Sequence, residues 1–337
     1  MSSRCIFGRL SWNYNSFDLL EQIIEKLNDK FLMTGIIDWD FVNMTKIFAF
    51  GLAVIDFVYR VETLPNTGDK YFTTDAYIIG GGCAANAAVA ISKLGGEVSF
   101  GGRVGSDVIG DLIIQDLENY GFSEPSMISR APNSRSSYSS VAIDPNGERQ
   151  IINFRGESLI EETDWIWDAP DVDAYLTDVI WPKGAQTTME VAKKRDKPGI
   201  IDVEPLQDYT CLKDASHVAF SYQGLYSLTQ SRDPVEGLKM IKDKLPGWLC
   251  VTNGEKGVYF LDGNKVEHIP GHTIQPQETL GAGDVWHGAF ALKLAEGGSE
   301  IQAMEFANAT AALKCQTTKG RENYPTRQEV ETFIGKM

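Results

Sequence analysis

The chain has 337 residues, with 31 Lys and Arg against 46 Asp and Glu and a formal net charge of −15. This surplus of acid excludes a nucleic-acid partner or an anionic membrane surface, both held by concentrated Lys and Arg, but leaves room for a small anion at a local basic spot or a helix N-terminus. The length allows one large α/β domain or two ordinary ones, and five scattered cysteines (Cys5, Cys83, Cys211, Cys250, Cys315) without a C-x-x-C pair point away from zinc or disulfides and toward a reducing cytoplasmic setting.

Residues 1–44 are set apart as an N-terminal extension, with one amphipathic stretch, Asp18 to Asp29, that predicts a short helix. They lack the basic, apolar and small-residue order of a secretory signal. A strand is predicted from Ile47 to Ile55, within an apolar run that is too short to span a bilayer and that carries Asp56. An alanine-rich helix follows over Ala84–Leu94, then a strand over Val98–Gly102 and a helix over Gly110–Tyr120. Ser137–Ile143 and Arg149–Phe154 form a hairpin around Asp144-Pro-Asn-Gly, where Asn-Gly is a strong turn signal. Short strands at Ala174–Ile180, Gly199–Val203 and Leu249–Thr252 are separated by helical stretches, and a second hairpin turns at Asp262-Gly-Asn264. Three helices close the chain: Gly283–Ala295, Glu300–Leu313 and Arg327–Ile334. This alternation predicts a mainly parallel sheet covered by helices on both faces, with the hairpin-rich parts forming a small separate β sheet that serves as a lid.

The string Glu278-Thr-Leu-Gly-Ala-Gly-Asp284 precedes a run that is apolar or small on nearly every face until Lys293, so the helix it opens is expected to be buried. Its free N–H groups and dipole make an anion site, and Gly281 and Gly283 let a large anion approach the backbone. A carboxylate beside a bound anion is repulsive unless it takes a proton from the group that attacks that anion. A glycine-rich anion hole with Asp284 beside it therefore fits phosphoryl transfer to a hydroxyl, and an Asp cap after a glycine turn fits the same string. In Gly80-Gly-Gly-Cys-Ala-Ala-Asn86, a poor helix former sits among alanines that clear space around its amide. It would face sugar hydroxyls, or the small residues serve tight packing. Asp56 ends a predicted parallel strand, where open α/β sheets bind ligands, and a carboxylate there accepts adjacent hydroxyls or is merely solvated. Thr252 to Gly257 is a strand end followed by a glycine turn, suited to a nucleotide phosphate or to joining two strands.

Together these four segments resemble the PfkB (ribokinase-like) carbohydrate kinases, from about Lys46 to the C-terminus. Glu278 to Asp284 is similar to that family's D-T-x-G-A-G-D signature, and Gly81, Gly82 and Asn86 to its N-terminal one. The resemblance implies a ribokinase-like three-layer α/β sandwich with a mainly parallel central sheet. Its kinase domain would span 45–337, with a lid built from about 61–80, 97–103 and 136–155. It implies an ATP- and Mg²⁺-dependent transfer of the γ-phosphoryl group to a sugar hydroxyl. Asp284 would be the base, and the backbone of Gly281, Ala282 and Gly283 the anion hole. Asp56, Gly81, Gly82 and Asn86 would bind the sugar, Thr252, Gly254, Gly257 and Asn308 the nucleotide. A homodimer through the lid is implied as well. The metal ligands stay open, because the family's N-x-x-E motif is Ser221-Tyr-Gln-Gly224 here, and so does a monovalent cation, because Glu278 replaces the signature's first Asp.

Within the family, Gly102-Arg-Val-Gly105, Asn146-Gly-Glu-Arg149, Ile151-Ile-Asn153 and Ala311-Ala-Leu-Lys-Cys315 resemble the sulfofructose kinase branch. Lys70 and Asn153 match its sulfonate-binding positions, but Ile180 stands where that branch places an Arg before Trp181, which removes a bidentate partner for an anion. Arg155 is nearby in sequence and would substitute, or the acceptor is a neutral ketose such as fructose. Other family acceptors are ribose, nucleosides and sugar phosphates, and a non-catalytic sensor of the same fold is the reading outside catalysis. His217, His268, His272 and His287 have no spacing for a metal, and His287 reads as a packed helix residue. Lys319-Gly-Arg321 reads as a turn near nucleotide phosphates or in solvent.

Overall fold

The computed structural model describes residues 44–73, 75–122, 127–318 and 320–336. The helix expected over Asp18–Asp29 and Lys319 lie outside them. The chain enters a nine-stranded sheet through β1 (Lys46–Phe50), whose four C-terminal residues are buried. The single strand expected up to Ile55 is broken. Gly51 takes φ +144°, and the chain leaves the large sheet to start β2 (Val54–Arg60) in a second, four-stranded one. The physical reason lies next door: a Cβ on Gly51 would come within 2.4 Å of the Asp178 carboxylate, so glycine is needed where that acid reaches across.

The remaining elements follow the α/β rhythm. They are β3 (Asp75–Gly81), α1 (Cys83–Lys93), β4 (Glu97–Gly105), α2 (Val108–Asn119), β5 (Met127–Ala131), β6 (Tyr138–Ile143), β7 (Arg149–Phe154), β8 (Ala174–Asp178), α3 (Pro182–Lys194), β9 (Gly199–Val203), β10 (His217–Ser221), α4 (Tyr222–Thr229), α5 (Pro234–Ile241), β11 (Trp248–Thr252), β12 (Val258–Asp262), β13 (Lys265–Ile269), α6 (Ala282–Ala295), α7 (Glu300–Cys315) and α8 (Arg327–Ile334). The large sheet runs β13-β12-β11-β10-β9-β8-β1-β4-β5, parallel except for the hairpin strands β12 and β13. One apolar cluster joins it to α1, α2, α6, α7 and α8, and a second joins its other face to α3, α4 and α5, giving three layers. The small sheet runs β3-β2-β6-β7. Residues 97–103, expected in the lid, are instead β4, paired in parallel with β1 inside the large sheet. Phe100, Gly101 and Gly102 are buried in succession because both faces of that sheet are covered. Strands β5 and β10 had no clear sequence signal.

The order of strands reverses between β1 and β8, the place where open α/β sheets bind ligands beyond their carboxyl ends. On the β8 side of the reversal, polar groups lie at or next to the strand ends: Asp178 on β8, Asp202 on β9, Ser221 on β10 and Thr252 on β11. Asp178 is also structural. Its carboxylate accepts from the N–H groups of Leu52 (2.7 Å), Ala84 (3.1 Å) and Ile180 (3.0 Å). It thereby caps α1, whose N-cap Gly82 has no side chain to do so. Asp178→Ala removes a buried acceptor from three N–H groups. It is expected to lower unfolding stability by about 3 kcal/mol or more, read as a lower urea midpoint at unchanged slope.

Candidate active site

Helix α1 reaches the site because it is built from small residues. Gly288 on α6 faces it so closely that a Cβ there would lie 2.5 Å from the Ala87 carbonyl. The two helix starts therefore converge, and the Asn86 amide donates to Asp284 Oδ2 at 2.6 Å. The Asn86 amide is itself oriented by Arg321, whose Nε donates to Asn86 Oδ1 at 2.7 Å. That bond fixes which end of the amide points at the acid. Arg321 also donates to the Gly81 carbonyl at 2.7 Å and pairs with Asp116. It is 1 % exposed, so the solvated position expected for Arg321 is corrected. Burial of the long charged side chain is possible because three acceptors wait for it, which no local pattern could reveal.

The Leu280–Asp284 turn separates two cavities. The smaller, about 180 Å³, is lined by Asp56, Asn86, Ser139, Asn153, Gly281 and Asp284, with Gly82, Arg321 and Tyr324 behind them. Asp56 is not at the end of a strand of the large sheet, as expected. It lies within β2, in one row across the small sheet with Ile79, Ser139 and Asn153. Asn153 donates to the Ser139 hydroxyl at 3.0 Å, and burial raises the Asp56 pKa against the lowering effects of Ser139 and Arg321. Gly81 makes room for that acid, since a Cβ there would stand 2.2 Å from Asp56 Oδ2. The larger cavity, about 780 Å³, falls in the range of sites for ligands of drug or nucleotide size. Thr252, Gly254, Gly257, Ala282, Gly283 and Asn308 all line it. The Asn308 amide is anchored there by the Trp286 indole N–H at 2.8 Å.

Three expected residues are apart from both cavities. Lys70 lines a separate groove with Arg60, Tyr71 and Gln277. Arg155 is exposed, with its charge acting on Asp178, and Ile180 gives only a backbone N–H to Asp178. Lys70 sits in the loop between β2 and β3, Arg155 just past β7 and Ile180 in the bend after β8, so their places follow from three-dimensional path rather than from spacing. Sequence reasoning missed Arg149, which lines the larger cavity and donates to the Thr279 hydroxyl at 2.9 Å. It also missed Ser139 and Tyr324.

Gly281 takes φ +75° as the N-cap of α6, and among the described residues the amides of Gly281, Gly283 and Asp284 have no backbone partner. Ala282 differs from expectation, since its N–H donates to the Thr279 carbonyl at 3.2 Å. Gly283 opens on free space in the larger cavity. Asp284 lines the smaller cavity, and burial, with the charges of Glu204 and Asp178, raises its pKa to about 6. Asp202, 4 % exposed, is raised well above the carboxylate range by burial and by Asp284 and Glu204. His287, as expected, is packed. It is 1 % exposed, its Nδ1 lies 2.8 Å from the Gly283 carbonyl, and burial lowers its pKa to about 4, so it is neutral.

One donor of Cys83, Asp202 and Asp284 each lies within 4.8 Å of the others. Magnesium takes hard oxygen ligands, usually one or two carboxylates with phosphates and water. The buried Asp202 Oδ1, which has no hydrogen-bond partner, fits that demand, as do the Glu204 and Asp284 carboxylates. The Cys83 thiol does not, because burial and four acids hold it protonated.

Residues 44–327 match the pfkB family carbohydrate kinases. The chain belongs to this family. It is therefore a sugar kinase, and its α/β body and small second sheet are the ribokinase-like fold. The ribokinase of Bacillus subtilis is 28 % identical over 305 residues, covering 86 % of this chain and all of the relative. The fructokinase of Vibrio alginolyticus is 26 % identical over 323 residues, covering 87 % and 100 %. A crystal structure from Agrobacterium tumefaciens, provisionally named a ribokinase, superposes with a TM-score of 0.81 at 32 % identity, covering 87 % of this chain and 98 % of that one.

The raised pKa of Asp284 has a definite sign. The folded state holds that proton more tightly than the unfolded chain does, so ionising the acid between about pH 4 and pH 7 costs stability. Asp284→Asn is expected to raise Tm at pH 7 by about 2 °C or more, with the gain vanishing near pH 4, in thermal unfolding at both pH values.

Proposed function

We propose that this kinase transfers the γ-phosphoryl group of ATP to a hydroxyl of a neutral monosaccharide, with Asp284 as the base. A single observation carries the choice of acceptor. The smaller cavity offers two acids, two amides and two hydroxyls, while its one cationic side chain among the described residues, Arg321, is already held by Asn86, Asp116 and Gly81. Lys70 and Arg155, the cations a sulfonate or phosphate would need, do not line it. Fructose-like ketoses and ribose suit these groups, and the named activities of the relatives cover both. Sulfofructose, sugar phosphates and nucleosides suit them less.

In this reading Asp56 and Asn153 hold adjacent hydroxyls of the sugar, and Asn86 holds Asp284 toward the attacking one. Proton removal by a carboxylate raised to about 6 is well matched to neutral pH, because the group is ionised yet still a useful base. The Gly281 and Gly283 amides, with the α6 dipole behind them, face the charge that builds on the transferred phosphoryl group. Nucleotide would lie in the larger cavity along Thr252, Gly254, Gly257 and Asn308, with Arg149 near its phosphates. Magnesium, when bound with the nucleotide, would neutralise phosphate charge, and Asp202 and Glu204 are the residues suited to hold it. A homodimer through the small sheet is supported by an apolar patch on the face away from the cavity, where Ile78 is 61 % and Ile152 70 % exposed.

Coupled assays of ADP release over fructose, ribose, sulfofructose, fructose 6-phosphate and adenosine test the acceptor. Turnover is expected with a neutral sugar, and a preference of tenfold or more for a phosphorylated or sulfonated one would refute the reading. Wild-type kcat/KM should fall about tenfold per pH unit below about pH 6 and level off above it. Asp284→Asn should lose about a thousandfold in kcat while still binding ATP and sugar by calorimetry. Substantial residual turnover would remove Asp284 from the role of base.

A further inference from the structure

Lys314, in the last turn of α7, is the most deeply buried lysine of the described residues, at 0 % exposure. Its ammonium donates to the Glu278 carbonyl at 3.0 Å and stands 3.7 Å from Glu278 Oε1. The other carboxylate oxygen of Glu278 takes Arg60 of β2 at 2.9 Å. The backbone is stitched at the same point: the N–H groups of Gln277 and Glu278 both donate to the Cys315 carbonyl, at 2.7 and 3.2 Å. Residues 277–278 are thus fixed to the end of α7 by a cation and two backbone bonds, three residues before Gly281 and the free amides.

Burying an ammonium ion costs several kcal/mol unless charge and acceptors compensate, so this lysine is not filler. Stem packing alone would be met by Met or Leu. The ammonium group instead does what a dissolved potassium or ammonium ion does in an oxygen-lined pocket: it binds a carbonyl and a carboxylate and closes a loop. We infer that Lys314 is a tethered monovalent cation, a positioning residue that holds the Glu278–Gly283 turn in register for the phosphoryl group and frees the enzyme from dissolved potassium at this place. The inference rests on the kinase reading above, but it concerns the turn and not the acceptor.

The test uses the full chain in potassium chloride or in choline chloride at equal ionic strength, with Tm and phosphoryl transfer as separate readouts. Wild type should show the same Tm and a rate within twofold in the two salts. Lys314→Ala, which opens an ion-sized space, should lose at least tenfold in kcat in choline chloride. Potassium or ammonium chloride should then restore at least fivefold and raise its Tm. Lys314→Met fills the space without the charge and should be impaired equally in every salt. More than twofold activation of wild type by potassium, full activity of Lys314→Ala in choline chloride, or a loss that potassium and ammonium leave unchanged would each overturn the inference. Where the alanine variant does not fold, the wild-type comparison and Lys314→Met decide. If wild type phosphorylates none of the sugars, the acceptor assignment fails, while the Tm arms still read the cation site.

Discussion

The hydrogen bond from Asn86 to Asp284 is the contact around which the site is built. It joins the first turns of two helices that arrive from opposite parts of the chain, and it exists only because both helices carry small residues where they touch. Ala87 against Gly288 sets the approach, and any larger side chain at Gly288 would strike backbone rather than a movable side chain. Arg321 then removes the remaining freedom by holding the far end of the Asn86 amide. The bond fixes where the carboxylate points.

Burial supplies the second constraint. Asp178, Asp202, Glu204 and Asp284 gather where the parallel strands end, and each has its pKa raised by loss of solvent, with acidic neighbours adding to the rise at Asp202, Glu204 and Asp284. Like charges at low local dielectric destabilise one another. The fold accepts this cost because backbone N–H groups satisfy Asp178 and Asn86 satisfies Asp284. Cations also hold the turn between the cavities: Lys314 and Arg60 on Glu278, Arg149 on Thr279. The small sheet takes part through Arg60 and Arg149, so its position is coupled to the turn that separates the two cavities.

Much of the fold was legible in the sequence. Gly199–Val203, Arg149–Phe154 and Arg327–Ile334 fall where apolar periodicity and turn signals put them. The boundary at Gly51 was not legible, because the residue that forces it, Asp178, is distant in sequence. Strand β4 was misassigned to the lid for a related reason: a run buried on both faces carries no alternation to say which sheet it joins. In the site, glycines and the acid that follows them were readable, since Gly281 needs a positive φ and Asp284 follows at a helix start. Arg321 was not, because an arginine near the C-terminus looks solvated until the three acceptors that bury it are known.

By itself the sequence determined the class of fold and the glycine turn with its carboxylate. These follow from short-range rules: backbone freedom of glycine, helix capping and periodic burial. Only the tertiary structure decided that Lys70, Arg155 and Ile180 stand apart from the smaller cavity, that Arg321 lines it while Arg149 lines the larger one, and that Lys314 holds the turn through Glu278. Such assignments depend on where separate elements meet, and the energy of a buried charge is set by partners that lie far along the chain.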